Sequence, residues 1–270
     1  MSVNPTISTK ELEILAPALF TQEPHSDTSN KYYFIKTIDV IEEIKANNWY
    51  PVSVKVSNVR DEEKEGFQQH CVRFRHFEDL LNPKDNAVEL LLFNSHDRTK
   101  AFSISAGIFR FICANGLVLA DSVFETYKIK HLGERDNDVA NAVNQITAIK
   151  DKLMNKINTL SNIKLSQLEK ESFAKLSVPL RFEEHLEINH TDLLTPLRDE
   201  DYKDDLYTTL NVIQENLIRG NISGINKESG RRFTSKEIKA ISTDTHINKG
   251  LWDIAEKIAF IKEPNYQIAA

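Results

Sequence analysis

Glycine is scarce in this chain, with eight among 270 residues. Loops that cradle phosphate groups need glycines at close spacing, and neither G-x-x-x-x-G-K-[ST] nor G-x-G-x-x-G occurs. G-x-S-x-G and H-E-x-x-H are absent as well, which sets aside P-loop nucleotide hydrolysis and zinc-protease chemistry. Cysteine is scarcer still: Cys71 and Cys113 are alone, form no C-x-x-C pair, and read as thiols of a reduced cytoplasm. No apolar run approaches the ~20 residues that span a bilayer. The opening MSVNPTISTKELEIL lacks a basic segment followed by an apolar one, so the expectation is a cytoplasmic protein without membrane association.

What is present is ordinary globular material, 40% hydrophobic and 27% charged, with a net charge of −6. That balance argues against a protein that coats duplex DNA over its whole surface, but the charge is unevenly distributed. Acidic residues dominate from Glu183 to Asp205, whereas Arg219, Lys227, Arg231, Arg232, Lys236 and Lys239 outnumber Glu228 and Glu237 in the next segment. Solvated surface is the simplest account of both runs.

Hydrophobic spacing gives the organisation. Residues 1–30 read as an irregular lead-in. A helix follows, with Thr37 as N-cap, Ile38, Ile41 and Ile44 on one face, and Asn47 and Asn48 as stops. Val52, Val54 and Val56 alternate with polar residues as a strand, and QHCVRFRH is a second, with Arg73 and Arg75 opposite Val72 and Phe74. AVELLLF is more continuously apolar than the strands before it and therefore reads as central; short connections favour antiparallel pairing. From Ala101 the chain reads as a strand that turns into a short helix at Gly107 and ends at Asn115-Gly116. Phe124, Tyr127 and Ile129 mark another strand. Val139 to Leu160 recur at helical spacing, Ser166-Gln167-Leu168-Glu169 is a capping box, and further helices cover 202–218 and 247–261. GNISGINKESGRR reads as a mobile loop. Strands first and helices after predict an α+β fold: a curved antiparallel sheet in the N-terminal half packed with a helical C-terminal half, a single domain over 31–262 with a tail at 263–270.

The segments SNKYYFIKT, LLFNSHDRTKAFSISAGIFRFICANGL and KIKHLG, followed by LNVIQENLIRG, GRRF and INKGLWDIAEKI, resemble the phage- and plasmid-encoded family catalogued as domain of unknown function 932. The resemblance runs from about Ala16 to Lys262. It implies a mobile genetic element and a cytoplasmic location, and no chemistry. A curved sheet with flanking helices is also similar to the single-strand annealing proteins of recombination, an analogy of fold alone.

No catalytic constellation, cofactor or metal site is read from the residues. His70 and His76 share a strand face by parity, and His96 and His131 fall near a sheet end, but no close-spaced ligand set appears. Glu89 and Asp97 flank the central strand without demonstrable convergence on a cation. Cys113 and Trp252 fit core positions.

The remaining signal is cations with aromatic neighbours: Arg73, Arg75, Arg98, Lys100, Arg110 between two phenylalanines, Lys128, Lys130, Arg231 and Arg232. Gathered into one groove, they meet the needs of single-stranded nucleic acid, namely phosphate contacts and stacking surfaces. Scattered, they are a solvated sheet face. Two functions therefore stand: a non-enzymatic, homo-oligomeric single-stranded-DNA-binding accessory protein of replication or recombination, and a protein-binding inhibitor of a host defence system that uses the acidic run.

Overall fold

Alternation along the N-terminal strands sorts their side chains onto two faces. In the structure, a computed structural model, β1 (Trp49–Val56), β2 (His70–His76), β3 (Asn86–Asn94), β4 (Ser103–Arg110) and β5 (Gly116–Val118) form one sheet in the order β1-β2-β3-β4-β5. The residues described are 6–29, 32–59, 61–82, 86–110, 116–118, 138–263 and 266, with the backbone alone at 109, 110, 116–118, 138 and 149. The expected strand at Phe124–Ile129 lies outside them, as do Cys113, Asn115 and His131.

Contacts gather into two compact units, Met1–Leu117 with Phe124–Lys150, and Val118–Val123 with Asp151–Ala270. Each is described by itself.

The first unit is built on the sheet. β1, β2, β3 and β4 pair antiparallel, with Val72 opposite Leu92 and Leu92 opposite Ile104. Those three, with Phe74, Val88, Leu90 and Ile108, form a buried apolar patch on one face. β3 is central, as its mostly apolar, buried run with Glu89 the exception leads one to expect. Pro51 sits in β1, an edge strand, where a missing N–H costs no ladder bond, and its carbonyl accepts from the Ile7 N–H at 2.7 Å. β4 continues straight through Gly107, which pairs with Glu89, so the expected turn into a helix does not occur there.

Two expectations at the start of the chain are corrected. The lead-in contains α1 (Thr9–Leu15), opened by a capping box of Ser8 and Glu11 and anchored by buried Leu12. α2 (Thr37–Ala46) has Lys36, not Thr37, at its N-cap, and the Thr37 side chain turns inward instead. After α3 (Phe77–Leu81), α4 (Asp138–Asn162) follows the stripe read from the sequence, with Val139, Val143, Ile146, Leu153, Ile157 and Leu160 all buried. In the first unit Thr147 of α4 accepts from the Trp49 indole N–H at 3.2 Å, and Lys150 pairs with Asp79 at 2.7 Å.

The second unit is organised round a helix without a solvent face. α5 (Gln167–Ser177) opens with the Ser166–Glu169 capping box. β6 (Leu186–Ile188) leads through a 3₁₀ turn, His190–Leu194, towards α6 (Leu206–Arg219), which is buried at every residue from Leu206 to Ile218. Several of its polar members are hydrogen-bonded. Asp205 caps it by accepting from the Thr208 N–H at 2.7 Å, and Asn216 donates to the carbonyls of Leu193 and Thr195 at 3.1 and 3.0 Å. β7 (Ser223–Asn226), β8 (Arg232–Thr234) and α7 (Ile241–Lys262) complete the unit. The sheet order is β6-β7-β8. Trp252 of α7 is fully buried.

Candidate nucleic-acid interface

The arginines occupy two kinds of place in the structure. Arg73 and Arg75 share a face of β2 and meet Glu89, which stands opposite Arg75 on β3. Arg73 Nε donates to Glu89 Oε2 at 2.5 Å and Arg75 Nη2 to Glu89 Oε1 at 2.7 Å. Glu89 is 2% exposed and Arg75 3%. Two cations on one buried carboxylate satisfy both of its oxygens, an arrangement that holds strands in register and leaves little guanidinium to meet phosphate. Arg198 of the second unit is similar: it forks onto Glu215 and also reaches Asp201 at 3.0 Å, both carboxylates being buried.

Arg98 and Lys100 lie in the turn after β3. Arg98 is exposed with a φ of 67°, and the Lys100 ammonium sits 5.3 Å from the centre of the Phe93 ring. Arg110 ends β4 opposite Asn86, its side chain outside the description, and Lys128 and Lys130 fall outside the described residues.

Arg231 and Arg232 are placed differently. The segment expected to be a mobile loop is a hydrogen-bonded hairpin of β7 and β8. Asn226 closes its tip, accepting at Oδ1 from the N–H groups of Glu228 and Ser229, both at 3.0 Å, while Gly230 supplies a φ of 66°. At the base, the Asn221 N–H donates to the Ser235 carbonyl at 2.8 Å, and the Arg181 guanidinium donates to the carbonyls of Leu217 and Lys236. Gly220 is needed here: its φ is 79°, and a Cβ would lie 2.7 Å from the Lys236 backbone. Arg231, Arg232, Lys236 and Lys239 are all exposed, and none of them enters an ion pair among the described residues.

Strand alternation then fixes which residues share the open face. Glu187, Ile225 and Arg232 stand in one cross-strand row, next to the Ser223–Thr234 pair, and all five are exposed. On the opposite face Phe233 lies over Gly224, whose missing Cβ would fall 2.6 Å from the Phe233 ring, and Phe233 packs against Phe182 at 6.3 Å between ring centres. A groove of about 750 Å³ is lined by this row and the Ser223–Thr234 pair together with Asn189, His190, Gly224 and Phe233.

The acidic run does not form one surface of free carboxylates. Asp205 caps α6, Asp201 is buried against Arg198, and Asp204 pairs with Lys170 at 2.8 Å, while Glu183, Glu184, Glu187, Asp199 and Glu200 are exposed.

A second polar cluster, unmarked by the sequence, lies in the first unit. Thr37, His70, Asn94 and His96 are fully buried and converge on the Thr37 hydroxyl. His70 Nδ1 lies 3.0 Å from the Gln68 carbonyl, which only accepts, so Nδ1 carries the proton and Nε2 accepts from Thr37 at 2.9 Å. Asn94 and His96 Nε2 then donate to the same oxygen, at 3.0 and 3.3 Å. Burial, reinforced by the neighbouring His96, holds the His70 imidazole down at about 3. Among the described residues no group of three His, Cys, Asp or Glu side chains is placed to hold a metal ion, and no helix is long and apolar enough to cross a membrane.

Comparison with known proteins places the chain in a lineage without assigned chemistry. The family described as Domain of unknown function (DUF932) matches residues 24–252. The chain is similar to UPF0380 protein YafZ and UPF0380 protein YfjQ, both of Escherichia coli (strain K12). Each is 30% identical to it over 253 residues, 93% of this chain and 91% of the relative. No solved structure matches.

Proposed function

The chain belongs to the DUF932 family, and from that premise we propose that it is a nucleic-acid-binding accessory protein of a phage, prophage or plasmid. In this reading it works in the cytoplasm without catalysing a reaction, prefers single-stranded DNA, and serves replication or recombination. The observation that carries the reading is the hairpin: adjacent arginines beside its tip, with Lys236 and Lys239 following, all exposed and without carboxylate partners among the described residues. Cations so placed keep their charge available for phosphate, and a hairpin tied down at both ends loses little freedom on binding. A sheet face beside them offers the Ile225 side chain and the Ser223 and Thr234 hydroxyls.

Binding of this kind displaces counterions from the nucleic acid. Affinity for a fluorescein-labelled single-stranded oligonucleotide is therefore expected to fall steeply between about 50 and about 200 mM salt. Replacing Arg231 and Arg232 together by Ala should lower affinity and flatten the slope of log K against log salt by roughly 1.4. Absence of any retained oligonucleotide at about 50 mM salt sinks the proposal.

A further inference from the structure

The groove beside the hairpin contains one residue that general phosphate binding does not need. Glu187 stands in the same row as Ile225 and Arg232, at the opposite end from the guanidinium. Two inter-strand spacings, about 10 Å, separate the ends of that row. Neither Glu187 nor Arg232 enters an ion pair among the described residues. Between them Ile225 is 45% exposed, a large apolar side chain facing solvent. A carboxylate on a surface meant only to attract phosphate works against it; a carboxylate one nucleotide's length from a phosphate-binding arginine reads a base edge.

We propose that the row seats a single nucleotide of the bound strand, with Arg232 on its phosphate, Ile225 under its base, and Glu187 accepting hydrogen bonds from the base. This rests on the nucleic-acid reading above and adds a sequence preference to it. An ionised carboxylate accepts and never donates. Guanine presents two neighbouring donors, its ring N–H and exocyclic amino group, and satisfies both carboxylate oxygens. Cytosine and adenine each offer one amino group. Thymine presents an N–H flanked by two carbonyl oxygens, which face the carboxylate unfavourably. The order of preference is guanine first, cytosine and adenine next, thymine last.

The support beneath the row is specific. Phe233 covers Gly224 on the packed face and fixes the β7–β8 register. Asn216 holds the carbonyls of Leu193 and Thr195, and with them the turn that carries His190 at the wall of the groove. The seat is therefore built on elements whose positions the core determines.

The test uses the full chain and anisotropy titrations with three unstructured oligonucleotides of equal length: oligo-dT, oligo-dC and alternating dT–dG. Alternating dT–dG should bind roughly tenfold tighter than oligo-dT, in line with a good carboxylate–base contact. Glu187→Gln should reduce that ratio to below about twofold, because an amide both donates and accepts and so tolerates thymine, with an unchanged melting temperature. Arg232→Ala should weaken all three and leave their ratios in place. Equal affinity of the wild type for the three, or a Glu187→Gln variant that strengthens all of them equally, overturns the base seat and leaves the phosphate reading standing. Failure of every oligonucleotide to bind overturns both.

Discussion

Arg73 and Arg75 stand two residues apart on one strand, and Arg231 and Arg232 stand side by side next to the tip of a hairpin in the other unit. In the sequence the two pairs look alike, each a couple of cations beside a phenylalanine. In the structure the first pair shares one carboxylate, Glu89, within a sheet, and the second faces solvent without one among the described residues. The lesson is that the chemistry of a cation is settled by its counterion. A buried guanidinium with its carboxylate is part of the scaffold, and an exposed one keeps its charge for a partner.

The comparison breaks most visibly at Glu89. Replacing it with Ala leaves the nearly buried Arg75 without this counterion, and the expected loss is about 3–5 kcal/mol of unfolding free energy. Urea titration followed by far-UV circular dichroism measures it; a loss below about 1 kcal/mol means that the arginines were never scaffold. Gly224→Val acts on the other side of the comparison. The added methyls meet the Phe233 ring and the Glu187 carbonyl, at an expected cost of about 1–3 kcal/mol. Oligonucleotide affinity should fall with it, because the register of the hairpin sets the open face.

Acid should separate the units next. The His70 imidazole is held at about 3, against an ordinary value of 6.5. Between those values the unfolded chain binds the proton more readily than the folded one. The contribution of His70 is therefore complete above pH 6.5 and is lost as pH falls towards 3, by roughly 1 kcal/mol per pH unit. Urea midpoints followed through Trp49 fluorescence in a Trp252→Phe background at about pH 7.5 and about pH 5 check this, and a His70→Gln variant should flatten the dependence. The smallest effect on stability belongs to the double Arg231→Ala, Arg232→Ala variant. Its melting curve should match the wild type within about 0.5 kcal/mol while its oligonucleotide affinity collapses.

Much of the architecture was legible from spacing alone. The largely apolar run Ala87–Phe93 marks the central strand, the stripe from Val139 marks α4, and Ser166 with Glu169 announces the start of α5. A second capping box, Ser8 with Glu11, carried the same signal at α1 and lay inside a stretch dismissed for its polar composition. The hairpin was missed for a physical reason. Its strands, Ser223–Asn226 and Arg232–Thr234, are too short for alternation to stand out, and Gly, Asn and Ser favour loops and tight turns alike.

The site was less legible than the fold. Parity places Arg73 and Arg75 on one face of β2, but only inter-strand register brings Glu89 to them, and register is a long-range property. The same holds for the Glu187–Ile225–Arg232 row, whose members come from three strands. Thr37 was read as a helix cap because a threonine at a helix start usually is one; its hydroxyl is engaged by two buried imidazoles instead.

The all-round burial of α6 has a consequence for how this protein tolerates change. A helix with a wet side forgives substitutions every third or fourth position, and saturation mutagenesis traces that rhythm. From Leu206 to Ile218 there is no wet side, so the rhythm should vanish into a flat band of intolerance, with asparagine and glutamine as unforgiving as leucine. Inheritance of the second unit then rests on that one short word being copied without error.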